Sequence, residues 1–356
     1  GYTPGMSIEA GALASLVVLV DPSAPLGTLA ATLTFSTDVG AALGAAGGEY
    51  QIDVSANVQA IPPIADAGGL YFGNEGATIV LSGIGSTGVI SLYEWDLDNN
   101  GSYETPGQNV DFTRNDQGVF TVGLRVTGPG GSATETTTIT VNNAAPTAGI
   151  TGVDFAKASP ALLVFTLTAL DPSPADQAAG FTFDIDWDGD GTFDQTVSGP
   201  SGTQLSHAYT SAGSFAVQVR ATDKDAGTSS NASHTVHVYS LAQVGADVVW
   251  EGSGGADTVE FHETGPGAVE VRTLKVGGFT TNVIESFSGI TGRVIGKGHS
   301  GNDVLNAAAL TSIAATLEGG RHNDTLTGGA ADDILRGEFV GAVGDGAEGN
   351  DSIIGG

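Results

Sequence analysis

The chain has 356 residues, among them 55 glycines and no cysteine, and its 40 acidic side chains outnumber 11 lysines and arginines to give a formal charge of -29. A surface of that sign repels nucleic acid and anionic membrane faces, so neither is an expected partner, and cations, metal ions above all, are favoured. The absence of cysteine excludes disulfides, thiolate metal sites and cysteine nucleophiles.

Hydrophobic residues make up 40% of the chain and the mean hydropathy is +0.10, so true cores are expected and not a charge-swollen disordered coil. The length suits two or three domains. The longest apolar runs, 10–20 and 161–170, are about half the roughly 20 residues that cross a bilayer, so no membrane insertion is expected. The sequence starts without an initiator Met and stops at Gly355-Gly356, the opening of another repeat turn. It therefore reads as a piece of a longer protein.

In chain order, short alternating runs bounded by Gly, Pro, Asn and Asp predict strands throughout, as in Thr32-Leu33-Thr34-Phe35, Ala77-Thr78-Ile79-Val80-Leu81 and Phe120-Thr121-Val122. Residues 1–62, with runs at 7–20, 27–35 and 50–58, read as part of one β-sandwich. Ile61-Pro62-Pro63 and Asn142-Asn143-Ala144-Ala145-Pro146 then delimit two more sandwiches, 63–142 and 143–240. A third break near 239–245, where Pro disappears and Gly-Asp rises, is expected to be a short linker to 241–356.

The two middle segments are copies of each other. Tyr93-Glu94-Trp95-Asp96-Leu97-Asp98-Asn99-Asn100-Gly101-Ser102-Tyr103-Glu104 aligns with Phe183-Asp184-Ile185-Asp186-Trp187-Asp188-Gly189-Asp190-Gly191-Thr192-Phe193-Asp194, and each is followed by a Gly-aromatic alternating strand, Gly118 to Val122 and Gly213 to Val217. Tyr93-Glu94-Trp95-Asp96 in the first copy, and His207-Ala208-Tyr209 with Val217 to Asp223 in the second, resemble the motifs of PKD domains, which are immunoglobulin-like sandwiches. The first copy departs from that pattern at Asp111-Phe112-Thr113 and Thr127-Gly128, and the second at Phe183-Asp184-Ile185-Asp186.

From about 242 a nine-residue period takes over: Gly319-Gly320-Arg321-His322-Asn323-Asp324-Thr325-Leu326-Thr327 runs into Gly328-Gly329-Ala330-Ala331-Asp332-Asp333-Ile334-Leu335-Arg336. A unit with Ala342 in place of Asp follows, and the register returns at Gly346 to Ile354 with Asp351. Earlier copies carry Asp257 and Asp303. This pattern is similar to the RTX repeat, which implies a calcium-binding parallel β-roll. The expected fold is thus all-β: tandem Ig-like β-sandwiches followed by a C-terminal parallel β-roll or β-helix.

The metal expectation has two parts. In the nonapeptides, glycines allow left-handed turns while Asp257, Asp303, Asp324, Asp333 and Asp351 with backbone carbonyls would surround calcium; Asp333 and Asp351, two units apart, are the expected pair, and Asp324 faces the degenerate unit. In the sandwich loops, Asp186, Asp188, Asp190, Thr192 and Asp194, with Gly191 at the sharp turn, follow the first nine positions of an EF-hand-like loop; Asp96, Asp98, Asn100, Ser102 and Glu104 repeat it. The bidentate acid of position 12 is missing, since Gly107 and Val197 stand there. Topology further suggests calcium between the 96–104 loop and Asp171, Asp176, Asp223 and Asp225 at the end where the chain enters the second copy.

No enzyme signal accompanies these acids. The histidines at 207, 234, 237, 262, 299 and 322 form no zinc motif and flank no serine nucleophile turn. The resulting reading is a non-catalytic, calcium-rigidified structural or adhesive segment of a large secreted or cell-surface bacterial protein, with like subunits or other surface and matrix components as partners. The alternative is the accessory region of a secreted protease or polysaccharide-degrading enzyme, with carbohydrate as ligand.

Overall fold

The computed structural model describes residues 27–36, 49–337 and 350–355. Residues 7–20 of the expected first sandwich and Ala342 of the degenerate repeat lie outside the described residues. The chain divides into two compact units, one of Gly1–Gly73, Thr78–Phe112 and Val119–Thr140, the other of Asn74–Ala77, Thr113–Gly118 and Val141–Gly356.

In the first unit, Gly27–Ser36 and Glu49–Val58 form an antiparallel hairpin in continuous register from Gly27 opposite Val58 to Ser36 opposite Glu49. The first repeat copy places five strands in one sheet, in the order Tyr71–Asn74, Gly131–Asn142, Gly118–Gly128, Leu92–Asp96, Thr105–Pro106, and pairs Ile79–Ser82 with Asn109–Phe112 in another. Period-two alternation sends Leu81, Val110, Phe112, Val122, Leu124 and Val126 inward, all buried. Trp95 is wholly buried, and its indole N–H donates to Gly107 O at 3.1 Å.

In the second unit, Thr147–Thr151, Leu163–Leu170 and Thr203–His207 make one sheet of the second copy, and Gln195–Gly199, Phe181–Asp186, Gly213–Thr222 and Ala232–Val244 lie in the other. Pairing register confirms the alignment of the copies: Trp95 lies opposite Leu124 and Asp96 opposite Gly123, while Ile185 lies opposite Val219 and Asp186 opposite Gln218. Ile185 thus stands where the first copy has tryptophan. The second copy supplies its indole two residues later, from Trp187, whose ring packs against Phe165 at 5.1 Å and stacks on His207 at 4.6 Å. Tyr209 completes the contact by donating its hydroxyl to Trp187 O at 3.0 Å.

The expected linker at 239–245 is absent. Ala232–Val244 is one unbroken strand; its first half pairs with Gly213–Thr222 and its second half with Asp247–Glu251. The reason lies in its apolar phase. Val236 and Val238 enter the sandwich core, whereas Tyr239 and Leu241 enter the next core, so the buried face switches between Val238 and Tyr239 and one strand serves both. Phe155–Lys157 lies parallel to the same strand, and the Lys157 ammonium reaches Glu285 at 2.6 Å.

Beyond it, Thr258–Gly265, Ala268–Val276 and Phe279–Ser288 form an antiparallel meander. The remaining strands stack in parallel: Asp247–Glu251, Val294–Ser300, Ala315–Arg321 and Ile334–Arg336 on one side, Thr258–Gly265, Val304–Ala309, Thr325–Thr327 and Ser352–Ile354 on the other. Their inward residues, among them Val248, Phe261, Leu305, Leu317 and Leu326, close one apolar core around Trp250. Trp250 is fully buried and donates its indole N–H to Thr273 Oγ1 at 3.1 Å. Replacing it by alanine leaves a large cavity and an orphaned hydroxyl, for an expected loss of about 3–5 kcal/mol; denaturant unfolding followed by far-UV circular dichroism measures it.

Candidate metal centres

The glycines of the 186–194 loop let the chain reverse tightly after the strand Phe181–Asp186: Gly189 and Gly191 take φ of 81° and 91°, conformations that glycine adopts without a Cβ clash. The buried Asp186 organises the turn, accepting Gly189 N–H at 2.7 Å on one oxygen and Gly191 N–H at 2.9 Å on the other. Asp194 folds back to accept Trp187 N–H at 2.7 Å. One oxygen each from Asp186, Asp188 and Asp194 thereby lies within 4.8 Å of the others, twice the roughly 2.4 Å of a calcium–oxygen bond. Asp190 is not in this group; its Oδ1 accepts Thr192 N–H at 2.7 Å.

The 96–104 loop has the same skeleton. Asp96 accepts Asn100 N–H at 3.1 Å and Gly101 N–H at 2.8 Å, Asp98 accepts Asn100 N–H at 3.2 Å, and Asn100 accepts Ser102 N–H at 2.7 Å. Among the described residues, Asp96, Asp98 and Glu104 do not come within ligand reach of one another as a trio. Asn100 stands where the second loop has Asp190, and Glu104, one methylene longer, where it has Asp194. Of the two loops, the second is the better preformed.

In the parallel stacks the aspartates make a ladder. Asp257 N–H donates to Asp303 Oδ1 at 2.8 Å, Asp303 N–H to Asp324 Oδ1 at 2.9 Å, and Asp324 N–H to Asp351 Oδ1 at 2.9 Å. Each carboxylate caps the amide of the preceding coil. Asp333 sits on the opposite edge, where it accepts Ala315 N–H at 2.7 Å. The expected pairing of Asp333 with Asp351 therefore gives way to Asp351 beneath Asp324, 27 residues back, with Asp333 on the other stack.

Burial sets the electrostatics of this ladder. It drives Asp257 up to about 6 and, with Asp351 nearby, Asp324 to about 6; Asp303, buried and flanked by Asp257 and Asp324, is driven to about 8. The second oxygens of Asp303 and Asp324 are buried without a hydrogen-bond partner, so each would be filled by a proton or a cation. Acids sequence reasoning had placed opposite the 96–104 loop also gather: Asp171, Asp176 and Asp223 lie within ligand reach of one another, and Asp176 is likewise grouped with Glu75 and Asp116. Neither group contains a residue of 96–104. Glu75 and Asp116 were missed because they are single acids in ordinary turns, Asn74-Glu75-Gly76 and Asn115-Asp116-Gln117, with no ligand spacing around them.

Two stretches, 68–141 and 157–240, match the PKD domain family. No curated protein matches the sequence. Among solved structures, the PKD domain of an M14-like peptidase from a Thermoplasmatales archaeon is 22% identical, covering 27% of this chain and 98% of its own with a TM-score of 0.23. The fibronectin(III)-like modules of Clostridium thermocellum CbhA are 17% identical over 50% of this chain and 94% of theirs, TM-score 0.24. A carbohydrate-binding module of the β-sandwich superfamily is 17% identical over 43% of this chain and 84% of its own, TM-score 0.22.

Because folding favours the protonated forms of Asp257, Asp303 and Asp324, the stability they contribute is full below about pH 4, where the unfolded acids also hold their protons. In metal-free solution it declines as the pH rises through about 6 and is lost by about 8. Asp303→Asn keeps the acceptor for Asp257 N–H and removes the charge, so its melting temperature should vary less between pH 6 and 8 than that of the parent. Parallel pH profiles for the two proteins would show that Asp303 ionises freely in the fold.

Proposed function

We propose that this chain is a non-catalytic, calcium-binding structural or adhesive segment of a secreted or cell-surface protein, in which two PKD sandwiches lead into a C-terminal β-roll. The observation that carries the calcium reading is the 186–194 loop, where three carboxylates converge at ligand separation around a turn built by Gly189 and Gly191. Loop sites of this kind, lacking a bidentate twelfth ligand, suit the millimolar calcium outside cells, and charged ligand count tunes their affinity. The same surroundings suit an acidic chain without cysteine. Among the described residues no helix is long and apolar enough to cross a membrane.

Among the histidines, His207 stacks on Trp187, His234 lies 3.0 Å from Val153 O and His262 pairs with Glu260, while the Nδ1 of His237 meets the Ser214 hydroxyl at 2.7 Å, an oxygen that also accepts Gly254 N–H at 2.8 Å. Carbohydrate binding by the sandwiches has less support. Phe72 and Phe279, the exposed phenylalanines among the described residues, lie on separate strands, Tyr71–Asn74 and Phe279–Ser288, and make no aromatic row.

Asp188 is exposed and braces only the turn it belongs to, so Asp188→Asn preserves the fold while removing one charged ligand. Calorimetric titration of the full chain with calcium should show one class of site weakened by about tenfold in this variant. Identical isotherms for variant and parent would remove the loop as a calcium site.

A further inference from the structure

A second cluster of acids in the same compact unit is more deeply buried than either loop. Asp171, Asp176 and Asp223 are 6%, 0% and 7% exposed, and one oxygen of each lies within 4.8 Å of the other two. Asp176 is shared with a second trio, Glu75 and Asp116 being its other members. The segments that carry them are held together by hydrogen bonds between side chains and backbone. Glu75 Oε1 accepts Ala144 N–H at 2.9 Å, Ser173 Oγ donates to Asn115 O at 2.6 Å, and Ser173, capping the short helix Pro174–Ala179, accepts Asp176 N–H at 3.2 Å.

Backbone and side-chain donors do not fill this cluster. Asp171 accepts Ser173 N–H on Oδ1 at 2.8 Å, but its Oδ2 is buried with no hydrogen-bond partner, as are Glu75 Oε2, Asn143 Oδ1 and both oxygens of Asp176. Asp223 is better supplied, accepting Asp225 N–H at 2.9 Å, Gly227 N–H at 2.8 Å and the Asn143 amide at 3.1 Å. The cationic group at hand is the Lys224 ammonium. It contacts Asp176 Oδ1 at 2.7 Å in an ion pair, although the geometry is not that of a hydrogen bond, contacts Asp116 at 2.9 Å, and also pairs with Asp225. Asp176 Oδ2 and Asp171 Oδ2 keep no such contact. Burial, and then the neighbouring carboxylates, raise both Glu75 and Asp171 above the ordinary range. The cluster as it stands is short of positive charge.

We propose that Asp171, Asp176 and Asp223 form a calcium site, with Asn143 Oδ1 and Glu75 as the adjacent oxygen donors and Lys224 as the fixed counter-charge on the outer side of Asp176. The oxygens lie within 4.8 Å of one another, no farther apart than twice a calcium–oxygen bond of roughly 2.4 Å, and a predominantly carboxylate and amide donor set is that of a hard cation. Binding there supplies partners for buried oxygens that otherwise have none, and cross-links the turn 74–77 to the strand ends at Asp171 and Asp223. The site is independent of metal binding by the 96–104 and 186–194 loops, whose residues it does not use.

Equilibrium dialysis of the full chain against calcium alone provides the test. Asp171→Asn with Asp176→Asn should lower the number of bound ions by one per chain and leave the ion lost in Asp188→Asn still countable, so failure here is distinct from failure of the loop site. An unchanged count in the folded double variant would overturn the proposal. Lys224→Met guards against a variant that does not fold. With a metal site present, its melting temperature falls in chelator and is restored by millimolar calcium, by a larger shift than the parent shows. If calcium leaves the Lys224→Met melting temperature where chelator put it, the cluster is a lysine–carboxylate network only and the site is refuted.

Discussion

Tight glycine turns leave backbone N–H groups facing inward, and in a chain without cysteine those groups must be satisfied by something other than a staple that simply holds the loop shut. Here aspartate does it. Asp96 and Asp186 each take two amides of their own loop, Asp223 takes two of the turn that follows it, and Asp303, Asp324 and Asp351 each take one from the coil before. A carboxylate that accepts an amide on one oxygen still has lone pairs to offer. The residue that closes the turn is therefore also the one best placed to hold a cation, and the strong negative charge of the chain is concentrated where the backbone needs acceptors.

Much of this was legible in the sequence. The two sandwiches announced themselves through a repeated Asp-x-Asp-x-Asn/Asp-Gly loop after an alternating strand, and the pairing registers place Asp96 and Asp186 at equivalent positions. The swap of Trp95 for Ile185 was visible as a departure. Its remedy was not, because only the folded loop shows Trp187 turning in to stack on His207. The position of aspartates in the C-terminal coils was likewise plain, yet spacing alone does not say whether a carboxylate faces an ion or the amide of the neighbouring coil. Both arrangements place the same residue at the same turn.

The misread linker has a physical cause. Loss of Pro and gain of Gly near 239–245 resembled a linker, but the informative signal was the apolar phase change from Val236 and Val238 to Tyr239 and Leu241, which a strand shared by two cores requires. Counting which loops lie at which end of an Ig-like sandwich singled out the acids at 171, 176 and 223, which do gather, but such a count does not rank the turns at an end, and Glu75 and Asp116 carried no pattern to single them out.

The shared strand has a mechanical consequence. Because Ala232–Val244 contributes hydrogen bonds to a sandwich sheet through one half and to the C-terminal stacks through the other, there is no hinge within this strand at which the second sandwich and the coils beyond it could bend independently. Tension applied along the chain passes straight down a single extended backbone, loading the ladders on either side of it in shear, the direction in which many hydrogen bonds must fail together. Detaching that strand exposes Val236 and Val238 on one face and Tyr239 and Leu241 on the other, so the two cores yield in a single event.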